Sequence, residues 1–237
     1  PIIQHLDIRN DPTCNLKCKT CGPYSSTLWA KEKGITVKLP GYDLTKYDKT
    51  QLKKIYLAGG EPTYNKSYLE FLNELATVNP ECEVMINTNL KRLPKEWKEV
   101  ISAFKNLTVI ISCDAIEDLG CYVRYPLEWN QFEENVKFVS ERANFTMFNL
   151  VPSNLTVHSI DRTVEWMAKY TDNISLTVVD GEHWEHRAVP LEYRSLYVNS
   201  LKKLLKFPVG VWLAHKFRFN LDSLINKYES NEYDPNL

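Results

Sequence analysis

The sequence predicts an α/β fold, a partial (β/α)6 barrel of parallel strands with outer helices. Short β-rich runs alternate with longer amphipathic stretches along the 237 residues, and six such pairs can be counted. This alternation is typical of a parallel sheet with right-handed crossovers, and six repeats suggest an open barrel. Polar residues recur at every second position in several strands, so we expect one face of the sheet to be polar.

Each element is placed by its own local pattern. Strands are predicted near residues 3–9, 54–58, 83–88, 107–112, 145–151 and 174–179. Helices are predicted near residues 25–33, 66–78, 95–104, 130–143, 158–170, 191–206 and 213–228. Asn65 and Pro94 mark the starts of the second and third helices, and Ser159 or Asp161 marks the start of the fifth.

The domain organisation follows from these elements. We expect residues 1–206 to form the barrel and residues 207–237 to form a C-terminal helical extension packed on it. Residues 34–50 contain glycines and a proline and are interpreted as an insertion before the second strand. The chain begins with Pro1 at the start of a strand, which suggests that residues upstream are missing.

Composition argues against several classes of partner. The 29 basic and 30 acidic residues nearly balance, so charge gives no reason to expect nucleic acid or a membrane surface. No apolar run reaches the roughly 18 residues that a membrane-spanning helix needs, and the N-terminus lacks the pattern of a secretory signal. A cytoplasmic, reducing location is therefore expected. Six cysteines would be a sparse disulfide framework, and three of them are clustered too tightly to pair well with the others, so a metal site is the better interpretation.

Three of these cysteines follow the first strand within eight residues. Cys14, Cys18 and Cys21 have the spacing C-x3-C-x2-C. Structural zinc sites and electron-transfer clusters normally have four protein ligands, so three close thiolates predict an iron–sulfur cluster with one open iron. The alternative is a zinc site that is completed by His5 or by a more distant cysteine.

A glycine turn ends the second strand, at the same edge of the sheet as the cysteines. Its residues are Gly59, Gly60, Glu61 and Pro62. In barrels of parallel strands the functional residues gather at the carboxyl ends. The two glycines allow the backbone to come close to a ligand, and Glu61 places an acceptor beside it. Taken alone, the same residues could form an ordinary tight turn.

Together these features resemble the radical S-adenosylmethionine (radical SAM) superfamily over nearly the whole chain. The resemblance rests on the three cysteines, on the glycine turn, and on Ser112 with Asp114 after the fourth strand. It implies that the three cysteines bind three irons of a [4Fe–4S] cluster. The amino nitrogen and carboxylate oxygen of SAM then complete the coordination of the fourth iron. This accounts for the missing protein ligand.

The resemblance also assigns residues to SAM. Gly59, Gly60 and Glu61 would meet the methionine amino group, a positive donor suited to a carboxylate and to backbone carbonyls. Ser112 and Asp114 would hydrogen-bond the ribose hydroxyls. The alternatives are that Ser112 satisfies the end of its strand and that Asp114 caps the following segment.

Arg124 is the candidate partner of the SAM carboxylate, because a guanidinium presents a planar fork of donors. The implied reaction is reductive cleavage of SAM to a 5′-deoxyadenosyl radical, which abstracts hydrogen from a substrate. The implied partners are a small-molecule or peptide substrate and an electron donor such as flavodoxin or ferredoxin.

Within the superfamily, residues 21–30 and 123–126 are most similar to proteins associated with SPASM or twitch auxiliary-cluster domains. That similarity favours a peptide substrate. The short chain and the absence of cysteines after Cys121 favour a metabolite or nucleoside and no auxiliary cluster. Thr20 stands where the family usually has an aromatic residue. A different class is a noncatalytic metal-binding or electron-transfer module that holds zinc or a simple cluster.

The remaining candidates have weaker signals. Cys113 alternates away from the polar face and Cys82 begins the third strand, so both are expected to be buried thiols without chemistry. Cys121 is expected to be structural. Residues 180–187 hold two histidines and two glutamates and could form a metal or acid–base site or a solvated loop, and substrate contact is the preferred hypothesis. Further polar residues that could line the cavity are Asp7, Arg9, Asn89, Asn149 and Ser153. Asp7 and Arg9 could equally form a structural ion pair inside the barrel.

Overall fold

The computed structural model describes residues 2–178, 186–208 and 214–235. Its strands form one six-stranded sheet in the order β1-β2-β3-β4-β5-β6. They are β1 (His5–Ile8), β2 (Lys54–Leu57), β3 (Glu83–Thr88), β4 (Asn106–Ser112), β5 (Phe145–Leu150) and β6 (Ile174–Leu176). Strands β1 to β4 pair in parallel, as do β5 and β6. The predicted architecture of parallel strands with connecting helices is confirmed.

Eight α-helices lie in the described ranges. They are α1 (Thr27–Lys33), α2 (Lys66–Val78), α3 (Lys95–Ser102), α4 (Glu117–Val123), α5 (Trp129–Arg142), α6 (Ile160–Met167), α7 (Arg194–Lys203) and α8 (Ala214–Glu229). Asn65, Pro94 and Ser159 occupy the N-cap positions of α2, α3 and α6, as the sequence predicts. The helices predicted over 158–170 and 191–206 are shorter, because short 3-10 turns adjoin α6 and α7.

Helix α4 is an element that the sequence pattern did not predict. It has seven residues, about two turns, with Gly120 in its interior. Ile116 stands at its N-cap and makes no side-chain capping bond. Recognition of a helix from sequence depends on a capping residue and on a periodic apolar stripe, and this segment offers neither.

The chain divides into two compact units. The first comprises Pro1–Ser112 and Tyr125–Thr146, and the second comprises Cys113–Arg124 and Met147–Leu237. The boundary expected at residue 206 stays a prediction.

In the first unit the strands alternate between packed and half-exposed positions. Along β3, Val84 and Ile86 are buried whereas Met85 and Asn87 are half-buried. Helix α2 adds a run of buried side chains at helical spacing, namely Tyr68, Phe71, Leu72 and Leu75. The half-exposed positions give the sheet the polar face that the alternation predicts.

Strand β1 is more exposed than its neighbours. Asp7 of β1 and Arg9, just after the strand, form an ion pair in which Arg9 Nε donates to Asp7 Oδ1 at 2.7 Å. The hydrogen bond from Arg9 lowers the pKa of Asp7. The Arg9 guanidinium also lies over the Tyr56 ring, 4.9 Å from its centroid. The two residues therefore form an ion pair, but an exposed one, with about half of each side chain or more accessible to solvent.

In the second unit, polar side-chain contacts join α6 and α7. Asp161 of α6 accepts hydrogen bonds from Ser200 and Lys203 of α7. Helix α8 packs against α7 and β6. The buried guanidinium of Arg194 donates to the Val189 carbonyl at 3.0 Å. None of the helices in the described ranges combines the length and apolar content that crossing a membrane requires.

Candidate cluster and SAM site

The segment that joins β1 to α1, residues 9–26, is called here the cysteine loop. Cys14 and Cys18 are buried, with 7% and 6% of their surface exposed, whereas Cys21 is exposed. The Cys21 N–H donates to the Cys18 carbonyl at 3.1 Å, which closes a turn between the last two cysteines. One thiol of the three therefore faces solvent while the other two are shielded.

Helix α1 fixes the backbone of the cysteine loop. Ser26 is the N-cap of α1, and its hydroxyl donates to the Leu16 carbonyl at 2.6 Å. The Trp29 indole N–H donates to the Cys18 carbonyl at 2.9 Å. Thr27 Oγ1 accepts the Cys14 N–H at 3.2 Å. These contacts reach the loop at three points, so the residues that begin α1 also set the path of the cysteines.

The glycine turn after β2 supports the other side of the cysteine loop. The Gly60 N–H donates to the Asp11 carbonyl at 2.6 Å, and the Glu61 N–H donates to the Thr13 carbonyl at 2.8 Å. These bonds extend the pairing of β1 and β2 beyond the ends of both strands. The glycine turn therefore holds the cysteine loop in place through backbone hydrogen bonds.

The backbone contact explains why the turn needs glycine. Gly59 has φ +109°, and a Cβ there would lie 2.6 Å from the Arg9 and Asp11 carbonyl oxygens. A Cβ on Gly60 would overlap the Thr13 carbonyl oxygen. The sequence led us to expect a close approach to a ligand at this turn. The close approach that the structure shows is to the backbone of the cysteine loop itself.

Glu61 is buried, with 2% of its surface exposed. Its Oε1 accepts from the Thr63 N–H at 3.0 Å and from the Thr63 and Thr88 hydroxyls at 2.6 and 2.7 Å. Its Oε2 accepts from the Asn89 N–H at 2.6 Å. Burial raises the pKa of Glu61, and the donated hydrogen bonds act in the opposite direction. The carboxylate thus has four protein donors, and it joins the turn after β2 to the end of β3.

The end of β3 contacts the cysteine loop through Asn89. Its Nδ2 donates to Asn15 Oδ1 at 2.9 Å and lies 3.9 Å from Cys14 Sγ. Lys91 Nζ donates to the Asn15 carbonyl at 3.2 Å. The sequence singled out Asn89 only as a residue that could line the cavity. Its position directly after a strand, at the same edge as the cysteines, was the available signal.

Ser112, Asp114 and Arg124 each have side-chain partners in the protein. In the first unit, Ser112 Oγ donates to Asn87 Oδ1 at 3.2 Å, at the end of β4. In the second unit, Arg124 Nη1 donates to Asp114 Oδ2 at 2.7 Å. Both members of this pair are buried, with 9% and 6% of their surface exposed. Asp114 Oδ1 also accepts the Val151 N–H at 3.3 Å, so its carboxylate is held at both oxygens.

The other cysteines have the environments of structural thiols. Burial raises the pKa of Cys82 to about 11 and that of Cys113 to about 12. Cys121 lies half-buried on α4. The predicted substrate loop over residues 180–187 lies outside the described residues up to residue 185. His186 is described, and its Nε2 lies 3.6 Å from Glu232 Oε2.

The donor set of the cysteine loop fits an iron–sulfur cluster in chemistry. Thiolates are the usual protein ligands of such clusters, and two of the three cysteines are shielded from water. The Asn89 amide offers a donor to the first of them. In the part of the chain that the structure describes, no three His, Cys, Asp or Glu side chains converge closely enough to hold a single metal ion.

Comparison with curated proteins adds relatives of known activity. The chain is 28% identical over 126 residues to the GTP 3′,8-cyclase of Thermodesulfovibrio yellowstonii, which covers 49% of this chain and 36% of that protein. It is 27% identical over 115 residues to the GTP 3′,8-cyclase of Helicobacter pylori, which covers 46% and 35%. The matched region thus spans about a third of the length of these relatives.

Solved structures share the fold. anSMEcpe with bound AdoMet superposes with a TM-score of 0.63 at 17% identity, over 92% of this chain and 63% of that chain. Streptococcus suis SuiB bound to S-adenosylmethionine gives a TM-score of 0.57 at 15% identity, over 86% and 45%. At these identities the likeness is one of fold.

The family profile covers most of the chain. The profile of the Radical SAM superfamily matches residues 12–187, a range that begins just before Cys14 and includes the glycine turn, Ser112 and Arg124. A [4Fe–4S] cluster and SAM are the cofactors of this family of enzymes, as the resemblance implied. The chain belongs to the radical SAM superfamily.

Proposed function

We propose that this protein cleaves SAM reductively and uses the resulting radical to abstract hydrogen from a substrate. Cys14, Cys18 and Cys21 would hold the [4Fe–4S] cluster. When bound, the cluster and SAM together supply an electron and a 5′-deoxyadenosyl radical. The observation that carries the proposal is the pairing of the cysteine loop with the glycine turn, within the range that the family profile matches.

The chain's own residues hold the cofactors in place. The contacts from Ser26, Thr27 and Trp29 order the backbone around Cys14 and Cys18. A loop that is ordered before binding loses less conformational entropy when its thiols take up irons. The burial of these two thiols also keeps water away from the sulfur atoms.

The glycine turn would meet the methionine amino group of SAM. The Glu61 carboxylate already has four donors, so an ammonium group would meet the backbone carbonyls of Gly59, Gly60 and Glu61. The Glu61 carbonyl also accepts the Tyr64 N–H at 3.1 Å and has a second lone pair to offer. In this proposal the Glu61 side chain holds the turn in shape, and the main chain makes the contact.

Three further residues complete the proposed SAM site. Ser112 and Asp114 would hydrogen-bond the ribose, and Arg124 would bind the SAM carboxylate. The buried ion pair between Asp114 and Arg124 supports the assignment of Arg124, because the pair holds the guanidinium in one orientation. Removal of Arg124 would leave the buried Asp114 carboxylate without its ion-pair partner.

The substrate is proposed to be a peptide or a small metabolite or nucleoside, and the electron donor a flavodoxin or ferredoxin. SuiB is known in a complex with its precursor peptide SuiA, and anSMEcpe in complexes with peptides. The curated relatives are named as cyclases of GTP. These names support both substrate classes. An assay in which a peptide and a nucleotide compete for the reconstituted protein would show which class it binds.

The test is anaerobic reconstitution with iron and sulfide. We expect about four irons and four sulfides per chain, a reduced spectrum that SAM changes, and release of 5′-deoxyadenosine measured by mass spectrometry. Alanine variants of Cys14, Cys18 and Cys21 should lose the cluster, and Cys82→Ala should keep it. Tight zinc binding without SAM cleavage would instead identify a noncatalytic module.

A further inference from the structure

We propose that Asn89 is a positioning residue that donates a hydrogen bond to the Cys14 sulfur and thereby raises the reduction potential of the cluster. The inference rests on the proposed function, because it takes Cys14 as a cluster ligand. Asn89 is not one of the residues that the family resemblance assigns to the cluster or to SAM.

The orientation of the Asn89 amide is set by its neighbours. Its Oδ1 accepts the Lys91 N–H at 2.9 Å, so the oxygen faces away from the cysteine. Nδ2 then has two hydrogens to donate. One is directed to Asn15 Oδ1 at 2.9 Å, and Cys14 Sγ lies 3.9 Å from the same nitrogen. A flipped amide would place an oxygen against the Asn15 oxygen and a nitrogen against the Lys91 N–H.

The backbone of Asn89 is fixed as firmly as its side chain. Its N–H donates to Glu61 Oε2 at 2.6 Å, and the Thr88 hydroxyl donates to Glu61 Oε1 at 2.7 Å. Only 4% of the Asn89 surface is exposed, so water competes little for the amide. The buried carboxylate of Glu61 therefore places a side-chain donor beside the first cysteine.

Lys91 adds a positive charge to the same segment. Its ammonium donates to the Asn15 carbonyl at 3.2 Å, directly after Cys14 in the chain. Together, Asn89 and Lys91 hold residues 14 and 15 from the side of β3. Both groups favour negative charge on the cysteine, one as a hydrogen-bond donor and the other as a cation.

The effect on reduction follows from charge. The reduced cluster carries one more negative charge than the oxidised cluster, and its cysteine sulfurs share that charge. A donor to a sulfur stabilises the reduced state more than the oxidised state, and such hydrogen bonds are among the factors that set cluster potentials. Loss of the donor should therefore make the cluster harder to reduce.

The experiment measures the reduction potential of the cluster in the reconstituted wild-type protein and in variants, by redox titration monitored by electron paramagnetic resonance. Asn89→Leu removes the donor, and Asn89→Asp keeps the shape and the acceptor for the Lys91 N–H but replaces the donor with a charged oxygen. Asn79→Leu is the matched control, because the Asn79 amide donates to the Lys49 and Leu52 carbonyls and contacts no part of the cysteine loop among the described residues.

We expect Asn89→Leu to lower the equilibrium constant for reduction about tenfold, or about 59 mV for one electron, and Asn89→Asp to lower it further. Asn79→Leu should keep the wild-type potential even where it melts earlier. An unchanged potential in a loaded Asn89 variant overturns the inference. So does failure of both variants to fold or to load, because Asn89 would then serve structure or assembly.

The outcomes separate this inference from the proposed function. If the wild-type protein takes up no four-iron cluster, or if Cys14→Ala still loads one, the proposed function is wrong at Cys14. If the wild-type protein loads the cluster and cleaves SAM while the Asn89 variants titrate as it does, only the role of Asn89 is wrong.

Discussion

The carboxylate of Glu61 accepts the backbone N–H of Asn89 at 2.6 Å and joins the turn after β2 to the end of β3. The same carboxylate caps the 3-10 turn Pro62–Tyr64 through the Thr63 N–H. The sequence pattern marked Glu61 as an acceptor for a ligand. In the structure its side chain binds the protein, and this determines what its substitution should do.

Glu61→Gln should destabilise the first unit. The amide keeps one oxygen but turns an NH2 group toward donors, so at least one buried donor loses its acceptor. We expect the free energy of unfolding to fall by about 2–3 kcal/mol, measured by urea denaturation. Glu70→Gln is the control, because Glu70 lies on the surface and its ion pair with Lys66, at 3.5 Å, is also exposed. Equal losses in the two variants would contradict the assigned role of Glu61.

Gly60→Ala should impair the cysteine loop. The new Cβ would overlap the Thr13 carbonyl oxygen, so the loop must move away from the turn. We expect a loss of about 2–4 kcal/mol in stability and a lower iron content after reconstitution. Gly22→Ala, beside Cys21, is the matched control because a Cβ there meets nothing within 4 Å. A normal iron content in Gly60→Ala would show that the close backbone contact is dispensable.

Alkylation of the cluster-free protein should discriminate among the thiols. Burial raises the pKa of Cys82 to about 11 and of Cys113 to about 12, so at pH 8 at most about one molecule in a thousand has either thiolate. Cys21 is exposed and should react with iodoacetamide first. Peptide mass spectrometry measures the order, and alkylation in denaturant shows that all six cysteines can react. Early modification of Cys113 would argue against its buried position.

The contacts of Asp161 with Ser200 and Lys203 should make the stability of the second unit sensitive to acid. Burial raises the pKa of Asp161, but hydrogen bonds from Lys203, Ser200 and the Arg162 N–H, together with the charge of Lys203, lower it overall. A lowered pKa in the folded state gives stability that is present above the unfolded pKa, about 3.9, and is lost as the pH falls through the folded pKa.

Asp161→Asn should therefore cost about 1 kcal/mol at pH 7 and progressively less below pH 4, measured by thermal melts of both proteins across pH. Asp222→Asn is the control on α8, because Asp222 is exposed to solvent. A difference between Asp161→Asn and the wild-type protein that persists unchanged at pH 2 would contradict the assigned ion pair.

Much of the fold follows from local sequence. The strands β2 to β5 lie within about a residue of their predicted bounds, because apolar runs and the turns between them are local signals. Helix α4 was missed because seven residues without a capping side chain carry no such signal. The family followed from cysteine spacing and from the glycine turn, which are short motifs at the ends of strands.

The contacts of the site were decided by the tertiary structure. Cys14, Gly60 and Asn89 are far apart in the chain, and parallel pairing of β1, β2 and β3 brings the residues after these strands to one edge. The paths of the cysteine loop and of the segments after β2 and β3 decide two contacts. Gly60 packs against the Thr13 carbonyl, and Asn89 lies beside Cys14. The sequence by itself determined which groups are present and on which strand ends they stand. Their partners are set by the packing of backbone on backbone, which no local pattern records.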